Sequence, residues 1–171
     1  MEHVLLITGS MGAGKTSTLY EASDLLIERG IHHAAIDLDS LGVGHLDGAQ
    51  LQDVALRNLA AVCANYTSAG VTRLIAAGAI ESRTEFEQIQ QAIQAGATVV
   101  CRLWARPEVM EKRIASRENG IFANRYIARV RVLDEILDAA ALEHFSIDTT
   151  DAPITRVAEE LLNQAAWIRL R

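Results

Sequence analysis

The residues whose types and spacing most directly suggest chemistry are Gly9-Ser10-Met11-Gly12-Ala13-Gly14-Lys15-Thr16. They match the pattern G-x-x-x-x-G-K-[ST]. Gly9, Gly12 and Gly14 permit backbone angles closed to other residues. Successive N–H groups can then converge on phosphate oxygens. A helix opening at the end of this loop aims its positive N-terminus at the same anion, with Ser17 in its first turn. Lys15 adds a cation able to bridge β- and γ-phosphates, and the Thr16 hydroxyl can ligate Mg²⁺. The expected ligands are ATP and Mg²⁺. A glycine-rich turn with an incidental lysine is the bland alternative. The setting opposes it, because the loop follows an apolar strand and precedes a helix.

Phosphoryl transfer also needs a group that orients or deprotonates an acceptor. Ile36-Asp37-Leu38-Asp39-Ser40 closes a second apolar run. Residues two apart on a strand share a face, so Asp37 and Asp39 point the same way. The bland reading makes either one a turn residue or a helix cap. The third apolar run, Arg73-Leu74-Ile75-Ala76-Ala77-Gly78, ends without an acid, which strengthens the case for the pair. Glu81 is the fallback acid. Gly78 is expected to let an acceptor approach closely.

These groups need a scaffold. Five apolar runs read as strands: Val4–Thr8, Ala34–Leu38, Arg73–Ala77, Thr98–Trp104 and Phe145–Asp148. They are almost continuously apolar, as parallel strands covered on both faces are. Helical patterns lie between them. Thr16–Arg29 carries Leu19, Ser23, Leu26 and Ile27 on one side and stops at Gly30. Leu51–Ala69 repeats Leu51, Val54, Ala55, Leu59, Val62 and Tyr66 and stops at Gly70. Arg83–Ala95 opens with the capping pair Ser82 and Glu85 and ends at Gly96. Pro107–Arg117 starts with a proline where a helix tolerates it. Asn119-Gly120 interrupts, and further helices span roughly Ala123–Leu142 and Pro153–Trp167. This alternation predicts an α/β fold, a parallel sheet between helical layers in a three-layer α/β/α sandwich.

Gly-x-x-Gly-x-Gly-Lys-Thr near the N-terminus of so short a chain resembles the P-loop kinases of small metabolites and nucleotides. Shikimate, gluconate and adenylylsulfate kinases and chloramphenicol phosphotransferases are the nearest types. The resemblance implies a five-stranded parallel sheet in the order 2-3-1-4-5, in one P-loop NTPase domain over 1–171 with a short lid around 113–126. Asp37-Leu38-Asp39 resembles the Asp-x-Asp of shikimate kinases. That implies Asp37 toward Mg²⁺ and Asp39 toward the acceptor hydroxyl, or the reverse. Arg113 and Arg117 are four apart, hence on one helical face. By the same resemblance Arg113 stacks near adenine and Arg117 reaches the phosphates, with Arg125, Arg129 or Arg131 as a further lid residue. Salt bridging is the ordinary alternative. Pro153 would pack on the base opposite Arg113, unless the segment is plain helix entry capped by Asp151. Arg57 could bind an anionic acceptor, although an exposed helical arginine is commoner. His45 and Asp47 lie in a glycine-rich stretch, 41–48, expected to close over the acceptor.

Composition narrows the rest. A chain of 171 residues, half of them apolar, fits one domain with a real core. The net charge of −6 argues against broad nucleic-acid binding. Cys63 and Cys101 sit in apolar runs and read as buried thiols of a reduced compartment. Two cysteines cannot make a structural zinc site alone, and adjacent His32 and His33 point apart on a strand. No basic leader and no run of about 20 apolar residues is present, so a cytoplasmic enzyme, monomeric or homodimeric, is expected. The favoured activity is a small-molecule kinase. The alternative is a nucleotide-binding regulatory module with slow hydrolysis and no acceptor. A GTPase is disfavoured because no Asn-Lys-x-Asp segment occurs.

Overall fold

The computed structural model describes residues 1–117 and 121–169. The expected Asn119-Gly120 interruption, and with it part of the expected lid, lies outside the described residues. Strands β1 (His3–Gly9), β2 (Ala34–Asp37), β3 (Arg73–Ala77), β4 (Ala97–Trp104) and β5 (Phe145–Asp148) form one parallel sheet. Its order is β2-β3-β1-β4-β5, as expected. β1 is therefore central, with Leu5 beside Ile75 on one flank and Val99 on the other. A central strand shows both faces to packed helices, which is why Val4 to Ile7 are all apolar and all buried.

Alternation splits that strand between two cores. Leu5 and Ile7 face helices α1 (Lys15–Glu28) and α6 (Ile154–Gln164), through Leu19, Leu26, Val157 and Leu161. Helices α4 (Pro107–Arg117) and α5 (Ile121–Ala140) complete this layer with Met110, Ile114 and Val130. Val4 and Leu6 face helices α2 (Gly48–Ser68) and α3 (Arg83–Ile93), through Leu59, Cys63, Phe86, Ile89 and Ile93. The result is helix, sheet, helix.

Helix ends set where the loops begin. Gly30 and Gly70 take φ of +66° and +82° after α1 and α2, as the stop signals required. Ser82 Oγ accepts the Glu85 N–H at 3.1 Å, and the Glu85 carboxylate reaches back to the Glu81 N–H at 2.7 Å. Gly96 does not end α3. Gln94 takes the left-handed conformation instead, at φ +52°. Gly96 is needed elsewhere: a Cβ there would lie 2.6 Å from the Glu2 carbonyl oxygen. Two face assignments are corrected. Ile27 is 65% exposed, because α1 buries Ala22 and Leu25 beside Leu19 and Leu26. Tyr66 is exposed, the α2 face turning through Leu59 and Cys63 instead.

Candidate active site

The loop between β1 and α1 is held open from three sides. Gly9, Gly12 and Gly14 take φ of +147°, +79° and +97°. A Cβ on Gly9 would lie 2.3 Å from the Leu103 carbonyl oxygen of β4, and one on Gly12 would lie 2.6 Å from that of Met110 in α4. Glycine is required at both for the loop to pass under its neighbours. Ser10 is fully buried and donates from Oγ to the Val130 carbonyl of α5 at 2.9 Å. Ala13 is also buried. Its carbonyl accepts from Thr149 Oγ1 at 3.0 Å. Met11, Gly12, Gly14, Lys15, Thr16 and Ser17 then line a cleft of about 920 Å³. Clefts of this size suit small ligands.

The opening turn of α1 has spare donors. Its N-cap is Gly14, with no side chain to cap it and no acid in the first turn. Lys15 donates from Nζ to the Ser10 carbonyl at 3.2 Å. Burial pulls its pKa down, Asp39 and Asp37 oppose that, and Arg117 adds to it. A desolvated ammonium inside a ring of main-chain donors is a strong anion site. Thr18, in the next turn, has a buried hydroxyl with no hydrogen-bond partner among the described residues. It lines the cleft and had no part in the motif.

The acidic pair divides its tasks. Asp37 ends β2, next to Ala77 of β3. Its Oδ2 accepts from Thr16 Oγ1 at 3.0 Å, and its Oδ1 accepts the Asp39 N–H at 3.1 Å. A 3₁₀ turn, Leu38–Gly42, follows, so the pair is not on one continuous strand. Asp39 keeps its carboxylate at the cleft wall. Desolvation pushes its pKa up, Lys15 pulls it down and Asp37 raises it again. The expectation for Gly78 is corrected: a Cβ there would lie 2.9 Å from Leu38 Cβ, so the glycine admits the 3₁₀ turn rather than an acceptor.

The fold matches that of known solved structures. Shikimate kinase from Acinetobacter baumannii, solved with shikimate, superposes with a TM-score of 0.63 at 20% identity, covering 100% of this chain and 96% of that one. The tunicamycin resistance protein of Deinococcus radiodurans gives 0.65 at 15% identity, with 98% of each chain covered. The Mycobacterium tuberculosis APS kinase, solved with AMPPNP and APS, gives 0.62 at 17% identity, covering 95% and 96%. The chain has the P-loop kinase fold. No protein-family model and no curated protein matches the sequence.

The remaining candidates sit around this P-loop as follows. Arg113 donates to the Gly12 carbonyl at 3.1 Å, to Thr149 Oγ1 at 3.0 Å and to the Thr149 carbonyl at 2.6 Å. It is thus built into the cleft wall. Thr149 is a further residue that sequence reasoning missed, since only its place after β5 set it apart. Its buried hydroxyl joins the P-loop, β4 and Arg113. Arg117 lines the cleft near enough to Lys15 to act on its titration. Arg129 also lines it and pairs with Glu81, while Tyr126 and Leu133 of α5 extend the same wall. Pro153 is the exposed N-cap position of α6, and its neighbours Ala152 and Ile154 line the cleft. Asp151 pairs with Arg106 at 3.2 Å rather than capping α6. Arg57 pairs with Asp53 at 3.1 Å on the exposed face of α2, the ordinary outcome for such a residue.

Both thiols are buried, and burial pushes Cys101 and Cys63 up, away from reactivity. Among the described residues no group of three His, Cys, Asp or Glu could hold a metal ion, and no helix is long and apolar enough to cross a membrane.

Proposed function

We propose that this chain is an ATP-dependent phosphotransferase acting on a hydroxyl of a small molecule. The observation that carries the reading is a cleft lined by Lys15, Thr16 and Asp39 at an uncapped helix N-terminus, with Asp37 accepting a hydrogen bond from Thr16. The P-loop amides of 9–17 and Lys15 would grip the triphosphate, and the buried Thr18 hydroxyl offers one more donor. Thr16 and Asp37 are hard oxygen ligands already in contact, and would hold Mg²⁺ through the substrate's phosphates. The cation would neutralise charge developing on the transferred group.

With Asp37 beside Thr16 serving the cation, Asp39 at the cleft wall would be the base. Asp39 would take the proton of the acceptor hydroxyl as its oxygen bonds to the γ-phosphorus. The bond from that phosphorus to the bridging oxygen breaks, and ADP leaves with the electron pair. Arg117 would stabilise charge at the phosphate end. Arg113 and the segment 152–154, in which Pro153 fixes the start of α6, would border the base. The lid would be the segment around 113–126, within a single domain. A reaction of this kind draws on ATP and Mg²⁺, which suits the cytoplasm.

A purely regulatory nucleotide module would lack room for an acceptor. A second cavity of about 690 Å³ opens beside Asp39, which favours the enzyme. The test is to incubate the protein with Mg-ATP and a panel of hydroxylated metabolites and read phosphorylated products by mass. Stoichiometric ADP and ester product is the expected result. ATP binding without ester formation on any acceptor would sink the reading.

A further inference from the structure

Asp39 and Glu81 form the wall shared by the cleft and the second cavity, so the two spaces are contiguous at the residue proposed to accept the proton. The second cavity is bounded by the 3₁₀ turn and the first turns of α2 and α3. Its charge is one-sided. Asp39, Glu81 and Glu85 line it, and no Lys, Arg or His does so among the described residues. Glu81 is matched by Arg129, and Asp39 feels Lys15, both from the nucleotide side. Glu85 has no such relief. Burial pushes its carboxyl up, the Glu81 N–H pulls it down, the negative charges of Glu81 and Asp39 push it up again, and no cation pairs with it among the described residues.

Two helices begin at this cavity, and helix N-termini favour anions with about half an elementary charge each. The one on α3 is already satisfied by Ser82 and Glu85. The one on α2 is left without a side-chain cap at Asp47. Half a positive charge does not outweigh the carboxylates that remain. The rest of the lining is neutral: Leu38, Leu51 and Ala55 are apolar, while Gln52, donating to Gln88 at 3.3 Å, and Ser82 and Thr84 offer groups to hydroxyls.

We infer that the acceptor is a hydroxylated small molecule carrying a protonated amine, held by Glu85, and that acceptors bearing a carboxylate or phosphate are disfavoured. The inference rests on the phosphotransferase reading above. The amine is the anchor and the hydroxyl remains the group phosphorylated, by the same bond changes.

The experiment uses the full chain with Mg-ATP and three matched acceptor sets: amino sugars and aminocyclitols, their neutral parents such as glucose and inositol, and carboxylates such as gluconate and shikimate. The expected kcat/KM for the best amine-bearing acceptor is at least tenfold above both other sets. Raised ionic strength should increase its KM. Glu85→Gln keeps an oxygen for the Glu81 N–H. It should raise that KM about tenfold, with a smaller effect on kcat, and remove the preference over the neutral parent. A neutral or carboxylate acceptor that is turned over best overturns the inference and leaves the phosphotransferase standing, as does Glu85→Gln with an unchanged KM. Absence of product in all three sets, with ATP still bound, overturns both.

Discussion

Lys15 is the residue on which nucleotide affinity turns. Its ammonium is held in a desolvated place that lowers its pKa, so an arriving anion restores what solvent no longer supplies. At a hundredfold excess over its dissociation constant, a ligand stabilises a protein by about 2.7 kcal/mol. Lys15→Ala should abolish most of the rise in melting temperature produced by Mg-ATP while leaving the apo fold intact. A full ATP shift in that variant, measured by scanning calorimetry, contradicts the assignment. Asp39 supplies the pH dependence. A base works only when deprotonated, and its pKa is raised, first by desolvation. Activity should therefore climb with pH through a midpoint above the ordinary aspartate value of about 3.9. Asp39→Asn should lower kcat by roughly 10²–10⁴-fold and erase that acid limb. An identical limb in the variant would move the role elsewhere.

At the scale of elements, the P-loop depends on close backbone passage more than on side chains. Gly12→Ala must fit a Cβ 2.6 Å from the Met110 carbonyl oxygen at φ +79°. We expect a loss of about 2 kcal/mol in denaturant unfolding, with an unchanged m-value and weakened ATP binding. Unaltered stability would mean that α4 can retreat. The loop was legible in the sequence because glycine spacing is itself the geometric requirement, and the parallel sheet because continuous apolar runs need helices on both faces, while the strand order followed only from the resemblance to P-loop kinases. Other features were not legible, for physical reasons. Thr149 matters through the carbonyls of Ala13 and Trp104, distant in sequence. Arg102 interrupts an apolar strand, yet it is buried because Asp134, Asp138 and Glu143 surround it from α5 and the segment after it. Gly78 and Gly96 are spent on chain crossings whose partners, Leu38 and Glu2, only the fold brings near.

Across the whole molecule, one hydrogen bond has wide reach. The buried Ser10 hydroxyl donates to the Val130 carbonyl, tying the floor of the P-loop to the middle of α5. The same helix carries Tyr126, Arg129 and Leu133 into the cleft wall. Loading the loop should therefore be felt along α5 as a slowing of amide hydrogen exchange, read by mass spectrometry over residues 126–137. Ser10→Ala should cut that tether, so that nucleotide protects the loop while α5 exchanges as in the empty protein. The serine of an otherwise glycine-governed loop would then act as a strain gauge, reporting to a distant helix whether the cradle is full.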